Sequence, residues 1–244
     1  MTVLVLGGTG EARALAARLE TAGVAYLSSL AGRVRNPRLP VGEVRIGGFG
    51  GVEGLQQYLR GNGIDRVVDA THPFAARISG NAATACAAAG VPLLRLARPG
   101  WTGTADWTWV DDHDAAAVAA AGGTSVFLST GRQTLDRFLG PLARHRVLVR
   151  VVEPLDLDVP DSWTVLLARG PYTLDGERAL LAGHGVDVLV TKDSGGDLTR
   201  AKLDAAAELG VRVVVVRRPP SPPGVPTVTT VAEAVAWAAE PLTK

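Results

Sequence analysis

The chain of 244 residues is 47% hydrophobic, enough to bury a large core in one domain or two. Lys and Arg number 25 against 24 Asp and Glu, a net charge of +1, so no overall field draws in nucleic acid or an anionic membrane. Any anionic ligand has to be held by local groups.

The opening run Met1 to Leu6 turns at Gly7 and lacks the basic region and length of a signal peptide. No uncharged apolar stretch approaches the roughly 20 residues of a membrane span, and the expected compartment is the cytoplasm. Short β-branched runs alternate with longer alanine- and leucine-rich stretches, which is the pattern of βαβ units around a parallel sheet. In the first half this predicts strands at Val3 to Leu6, Ala25 to Leu30, Val44 to Ile46, Arg66 to Ala70 and Leu93 to Leu96. Between them lie helices at Glu11 to Ala22, Val52 to Arg60 and Phe74 to Ala89. Ala12, Leu15, Ala16 and Leu19 form the core stripe of the first helix, and Gly23 stops it. Cys86 sits in an alanine run with no adjacent basic residue, which marks it as buried and inert.

The tryptophan-rich segment Trp101 to Asp114 breaks the rhythm, and a boundary near it divides the chain into domains 1–120 and 121–244. After a helix at Ala115 to Ala121 come strands at Ser125 to Ser129, Val147 to Val152, Thr164 to Ala168, Val186 to Thr191 and Val211 to Val216. Helices are expected at Gln133 to Leu139, Leu174 to Ala182, Leu198 to Leu209 and, beyond the proline cluster 219–223, Val231 to Ala239. The fold class is α/β: two Rossmann-like doubly wound domains with mainly parallel sheets and a cleft between them.

The glycine turn Gly7-Gly8-Thr9-Gly10, with Glu11 following, lies between the first strand and the first helix. There backbone N–H groups and the positive end of the helix can meet a phosphate. The third glycine of the dinucleotide fingerprint is replaced by Arg13, a departure in helix packing. The second strand ends on Ser28 and Ser29 rather than the carboxylate that holds an NAD ribose, and Arg33 follows. Hydroxyls and a guanidinium suit a 2′-phosphate, which predicts NADPH over NADH.

Asp69-Ala70-Thr71-His72-Pro73-Phe74 crosses the end of the fourth strand, the edge where α/β sheets bind ligands. Thr71 or His72 is placed to cap the next helix, Pro73 suits its first turn, and Phe74 can lie along a cofactor or substrate ring. His72 is either a binding-site contact or a capping and packing residue. In the second domain Thr130-Gly131-Arg132 and Lys192-Asp193-Ser194-Gly195-Gly196 put cations beside glycine turns at strand ends, an arrangement suited to carboxylates or phosphates. Tyr172 follows another strand end. The chain has no CxxC, HExxH, GxSxG or Walker motif, so the usual residues for metal hydrolysis, esterase chemistry and P-loop phosphoryl transfer are missing. Redox chemistry on a borrowed cofactor remains.

Taken together, Leu6 to Arg13, Asp69 to Ala75, Thr130 to Arg132, Lys192 to Gly196 and Lys202 resemble the precorrin-6A reductase family of cobalamin biosynthesis. The Asp-Ala-Thr-His-Pro-Phe string is the specific part. The resemblance implies hydride transfer from NADPH to a double bond of precorrin-6A, giving precorrin-6B. Together with the reading of the second strand end, this gives the expected cofactor residues as Gly7 to Glu11, Ser28, Ser29, Arg33 and Thr71 to Pro73. The tetrapyrrole and its carboxylates fall to Arg13, Phe74, Thr130, Gly131, Arg132, Lys192, Ser194, Gly195, Gly196 and Lys202. Asp69, His72, Tyr172 and Lys192 are unranked proton-donor candidates, beside solvent or the substrate itself. No metal, nucleic acid or membrane is implied, and the macromolecular contacts expected are transient ones with neighbouring pathway enzymes. The alternatives are reduction of a cobalt-containing precorrin-6A, a non-catalytic dinucleotide or nucleotide-sugar sensor, and a methyltransferase that shares the glycine turn. A short-chain dehydrogenase is disfavoured, because Tyr26, Tyr58 and Tyr172 are followed four residues on by Leu30, Asn62 and Gly176 in place of lysine.

Overall fold

The computed structural model describes residues 1–32 and 38–241. In chain order, β1 (Thr2–Leu6), α1 (Gly10–Thr21), β2 (Ala25–Leu30), β3 (Val44–Ile46), α2 (Gly51–Gly61), β4 (Arg66–Asp69), α3 (Ala76–Ala89) and β5 (Leu93–Leu96) form the first half. There follow β6 (Thr108–Val110), α4 (His113–Ala120), β7 (Ser125–Leu128), α5 (Asp136–Leu139), β8 (Arg146–Val151), β9 (Trp163–Leu167), α6 (Leu174–Gly183) and β10 (Val188–Lys192). The chain closes with α7 (Ala201–Glu208), β11 (Arg212–Val216), β12 (Thr227–Val228) and α8 (Val231–Ala239). The helices expected from Gln133 and from Leu198 each begin as one turn of 3-10 helix, after which α5 and α7 run.

The strands make two six-stranded sheets, ordered β12-β5-β4-β1-β2-β3 and β6-β11-β10-β7-β8-β9, and every pairing is parallel. Read from their innermost strand, both follow the order of dinucleotide-binding sheets. The sixth strands are exchanged. β6 follows the first five strands in sequence yet pairs with β11, and β12 follows β11 yet pairs with β5.

This exchange corrects the boundary expected at 120/121. The chain divides into one unit of Met1–Pro99 with Pro219–Lys244, and a second of Gly100–Arg218. The short strands β6 and β12, which were not expected, carry the exchange.

Alternation along the strands builds the two faces of the first sheet. Leu4, Leu6 and Val67 pack with Leu55 and Leu59 of α2 and Ala82, Ala85 and Cys86 of α3. Val3, Val5, Val68 and Leu94 pack with Leu15 and Leu19 of α1 and Ala234 and Ala238 of α8. Each large aliphatic side chain so buried contributes about 1.5–3 kcal/mol. In the second sheet Phe127, Leu148, Leu189 and Val215 pack with Leu181 of α6 and Leu203 of α7, while α4 lies against β10 and β11.

Burial, followed by the nearby Asp69 carboxylate, raises the Cys86 thiol to about 12. The native protein is expected to leave Cys86 unmodified by thiol reagents at pH 8, with labelling only after denaturation; rapid native labelling would contradict its place in the core. No described helix is long and apolar enough to cross a membrane.

Candidate functional site

The first candidate site grows from the β1–α1 turn. Gly8 has φ +116°, which favours glycine, and open space where a side chain would stand. Thr9 caps α1: its Oγ1 accepts from the Ala12 N–H at 3.0 Å and donates to the Ala70 carbonyl at 2.8 Å. The hydroxyl is thereby committed to joining the turn to the end of β4, and Thr9 can offer a phosphate only its backbone. The Gly7 N–H donates to Ser29 O at 2.9 Å, so Gly7 shapes the turn. Glu11 receives Arg98 Nη1 at 2.7 Å. Burial, which would raise the Glu11 carboxyl, is outweighed by its own backbone N–H and Arg98, and the group stays ionised below the usual range.

Ser28 and Ser29 divide in role. Ser29 Oγ accepts from Arg45 Nη1 at 3.2 Å. Ser28 is 2% exposed, its Oγ has no partner among the described residues, and it lines a pocket with Gly7, Gly8, Arg13 and Arg38. That pocket thus brings two arginines and a buried hydroxyl together beside the glycine turn. Arg13, expected at the substrate, belongs to this pocket. Arg38 was missed because nothing in its local pattern separates it from an ordinary loop arginine. Arg33 lies outside the described residues.

At the end of β4 the expected roles change. Asp69 is 2% exposed; its Oδ1 accepts from the Thr71 N–H at 3.0 Å and the Thr71 hydroxyl at 2.6 Å, and its Oδ2 pairs with Arg95. Arg95 also donates to Ser79 Oγ at 2.7 Å, which ties the loop to β5 and α3. A carboxylate accepting on both oxygens in a buried ion pair is a brace, so Asp69 leaves the list of proton donors and Thr71 that of cofactor ligands through its side chain. Neither Thr71 nor His72 caps the helix, since α3 starts at Ala76 after Ala75, which has no side-chain cap. His72 Nδ1 accepts from the Phe74 N–H at 3.2 Å, closing the turn over buried Pro73, with the two rings 5.9 Å apart. Pro73 therefore precedes the helix and is no part of its first turn.

In the second unit, β7 and β10 are neighbours, and the loops at their C-terminal ends meet. A side chain on Gly131, which has φ +83°, would begin 3.9 Å from Lys192 Nζ. Thr130 is 1% exposed and its Oγ1 has no partner among the described residues. Burial lowers the Lys192 ammonium to about 8. Gly195 and Gly196 turn the following loop at φ +64° and +72°, and the Ser194 N–H folds back on Lys192 O at 2.6 Å. Arg132 stands apart on the surface, its Nη1 3.4 Å from Pro154 O.

Of the two remaining candidates, Lys202 is buried and Tyr172 half-buried. Lys202 is 6% exposed, donates from Nζ to Thr199 O at 2.5 Å and lies 4.9 Å from the centre of the Trp101 ring. Burial first, then Arg150, lowers it to about 7. This places Lys202 under the Lys192 loop as a support, whereas the expectation was a contact to substrate. The Tyr172 hydroxyl donates to Ala168 O at 3.0 Å, its ring is covered by the Arg150 guanidinium at 3.7 Å, and burial raises it.

The family model described as Precorrin-6x reductase CbiJ/CobK matches residues 2–239. The chain belongs to the precorrin-6x reductase family. It is 53% identical over 239 residues to a precorrin-6A reductase of Rhodococcus erythropolis, with 96% of both chains covered. It is 34% identical over 232 residues to a cobalt-precorrin-6A reductase of Priestia megaterium, covering 89% of this chain and 90% of that one. A solved structure of CobK precorrin-6A reductase matches with a TM-score of 0.89 at 40% identity, covering 98% of this chain and 96% of that one. Membership of this reductase family agrees with the resemblance carried by the Asp69 to Ala75 string and the two glycine turns.

Proposed function

We propose that this reductase converts precorrin-6A to precorrin-6B with NADPH as the reductant. The observation that carries the cofactor assignment is the buried Ser28 hydroxyl, without a partner among the described residues, in one pocket with Arg13 and Arg38 beside the glycine turn. An orphaned buried hydroxyl costs about 1–3 kcal/mol until a ligand meets it, and a phosphate between two guanidiniums is the fitting ligand. In this reading Gly8, Gly10 and the start of α1 face the pyrophosphate. Ser28, Arg13 and Arg38 hold the 2′-phosphate. NADPH, when bound, supplies a hydride from the nicotinamide ring.

In the second unit Lys192, Thr130 and the Gly131 turn receive an acetate or propionate carboxylate of the macrocycle. Hydride addition also requires a proton, and Lys192 is the residue assigned to hold it. Identities of 43–53% to precorrin-6A reductases against 31–34% to cobalt-precorrin-6A reductases favour the metal-free substrate.

Anaerobic incubation with NADPH and precorrin-6A is expected to consume nicotinamide absorbance in step with a product two hydrogens heavier; no consumption rejects the proposal. For the cofactor, Arg38→Ala is expected to weaken NADPH binding by about 10–100-fold while changing NADH by less than about threefold, the loss of one or two charge-assisted bonds. Equal losses for both nucleotides in titration calorimetry would remove Arg38 from the 2′-phosphate.

A further inference from the structure

The residue after Lys192 has no part in the reaction described above, yet both of its carboxylate oxygens are engaged. Asp193 is 7% exposed. Its Oδ1 accepts from the Trp101 N–H at 2.9 Å, and Arg218 grips both oxygens, Nε to Oδ2 at 2.9 Å and Nη2 to Oδ1 at 3.2 Å. Trp101 also donates from Nε1 to Gly196 O at 3.3 Å, and Lys202 Nζ holds Thr199 O beyond it. The Asp193 N–H itself continues the sheet by donating to Val216 O at 2.9 Å.

The two partners of the carboxylate also lie at opposite ends of the second unit, Trp101 directly after its first residue, Gly100, and Arg218 as its last. Space there is tight. A Cβ on Gly100 would stand 2.7 Å from Asp193 Oδ2 and 3.1 Å from Oδ1, so the carboxylate lies directly on the Gly100 backbone.

We propose that Asp193 is a positioning residue, which by binding Trp101 and Arg218 fixes the direction in which Lys192 leaves β10 and so places the Lys192 ammonium at the substrate carboxylate. This rests on the reading that the Lys192 loop binds precorrin-6A. A short loop with two left-handed glycines has little stiffness of its own. The rigid groups around it are the Trp101 indole, 8% exposed in the core, and the two-pronged Arg218 pair. Removing the carboxylate's grip leaves the loop its glycine freedom, and misplacement by even an ångström is costly in binding geometry.

The test compares a chemical and a steric disruption. Asp193→Asn keeps the size and an acceptor for the Trp101 N–H but removes the charge facing Arg218. Gly100→Ala keeps every polar group and pushes a methyl against the carboxylate. Each is expected to raise KM for precorrin-6A about tenfold, with kcat changed less and NADPH affinity within about twofold of the parent. Lys192→Met is measured alongside, alone and combined with Gly100→Ala. With the ammonium gone its placement no longer matters, so the second substitution is expected to add less than about twofold.

Unchanged KM in both Asp193→Asn and Gly100→Ala, with Lys192→Met impaired, would overturn the positioning role alone. So would a full additive loss in the double variant, which is the behaviour of a structural defect unrelated to Lys192. Unchanged kinetics in Lys192→Met would instead overturn the substrate-loop reading, and the proposal with it.

Discussion

Glu177→Ala is expected to cost the second unit about 3–5 kcal/mol, because it strands the Arg150 guanidinium in the core without its counter-ion. The pair joins β8 to α6. Arg150 Nη1 meets Glu177 Oε1 and Nη2 meets Oε2 at 3.0 Å, with the side chains 6% and 3% exposed. The guanidinium is stacked 3.7 Å from the Tyr172 ring centre and 4.9 Å from that of Phe127, so it cannot turn out to water without unpacking both rings. Lys202, already lowered to about 7, is raised by Glu177 and lowered by Arg150, so losing the carboxylate drives it further toward the neutral amine and leaves Arg150 as the stranded charge. Urea denaturation at constant m gives the difference directly. Replacing both partners, Arg150→Met with Glu177→Leu, is expected to recover most of the loss, since a well-packed apolar pair of similar volume needs no desolvation. A loss under about 1 kcal/mol for Glu177→Ala would show that the pair is not an isolated buried couple.

The second large effect concerns Lys192. Its folded value of about 8 lies below the ordinary lysine value of 10.5, and burial is the cause, so the ammonium is complete at pH 7 and is lost as pH rises through about 8. Burial first, with the Lys192 charge contributing, lowers both His113 at the start of α4 and Lys202 on α7. If Lys192 pairs with a substrate carboxylate and holds the transferred proton, kcat/KM for precorrin-6A is flat near pH 7 and falls about tenfold per unit above pH 8. Lys192→Met is expected to lower kcat/KM by about 100–1,000-fold at pH 7 and to remove this alkaline limb. Lys192→Arg separates the two duties: it preserves the charge at all accessible pH, so KM is largely kept while kcat stays low. An alkaline limb that persists in Lys192→Met would assign the titration elsewhere.

Much of the architecture was legible in the sequence because period-two and helical patterns are local. Val3 to Leu6 and the stripe Ala12, Leu15, Ala16 and Leu19 each announce their element, and all of these residues are buried. β6 and β12 were not legible, since Thr108–Val110 and Thr227–Val228 are too short to show a period and acquire their identity only by pairing with β11 and β5. The domain boundary was misplaced for the same reason. At the site, the glycine turns and Lys192 could be read from their places at strand ends. The fate of Asp69 could not, because the partner that converts it from a candidate acid into a brace, Arg95, lies 26 residues away on a neighbouring strand. Thr9 and Lys202 show the same limit. A side chain's chemistry is visible in sequence, but whether its donors are already spent on Ala70 O or Thr199 O is settled by packing.

The central claim is that NADPH delivers a hydride to precorrin-6A on this protein, and deuterium labelling tests it most directly. Single turnover with NADPH deuterated at the transferring position of nicotinamide C4, under anaerobic conditions in ordinary water, is expected to yield precorrin-6B carrying one deuterium at carbon and one new hydrogen from solvent. Product that gains both hydrogens from solvent, or no reduced product at all, would contradict it.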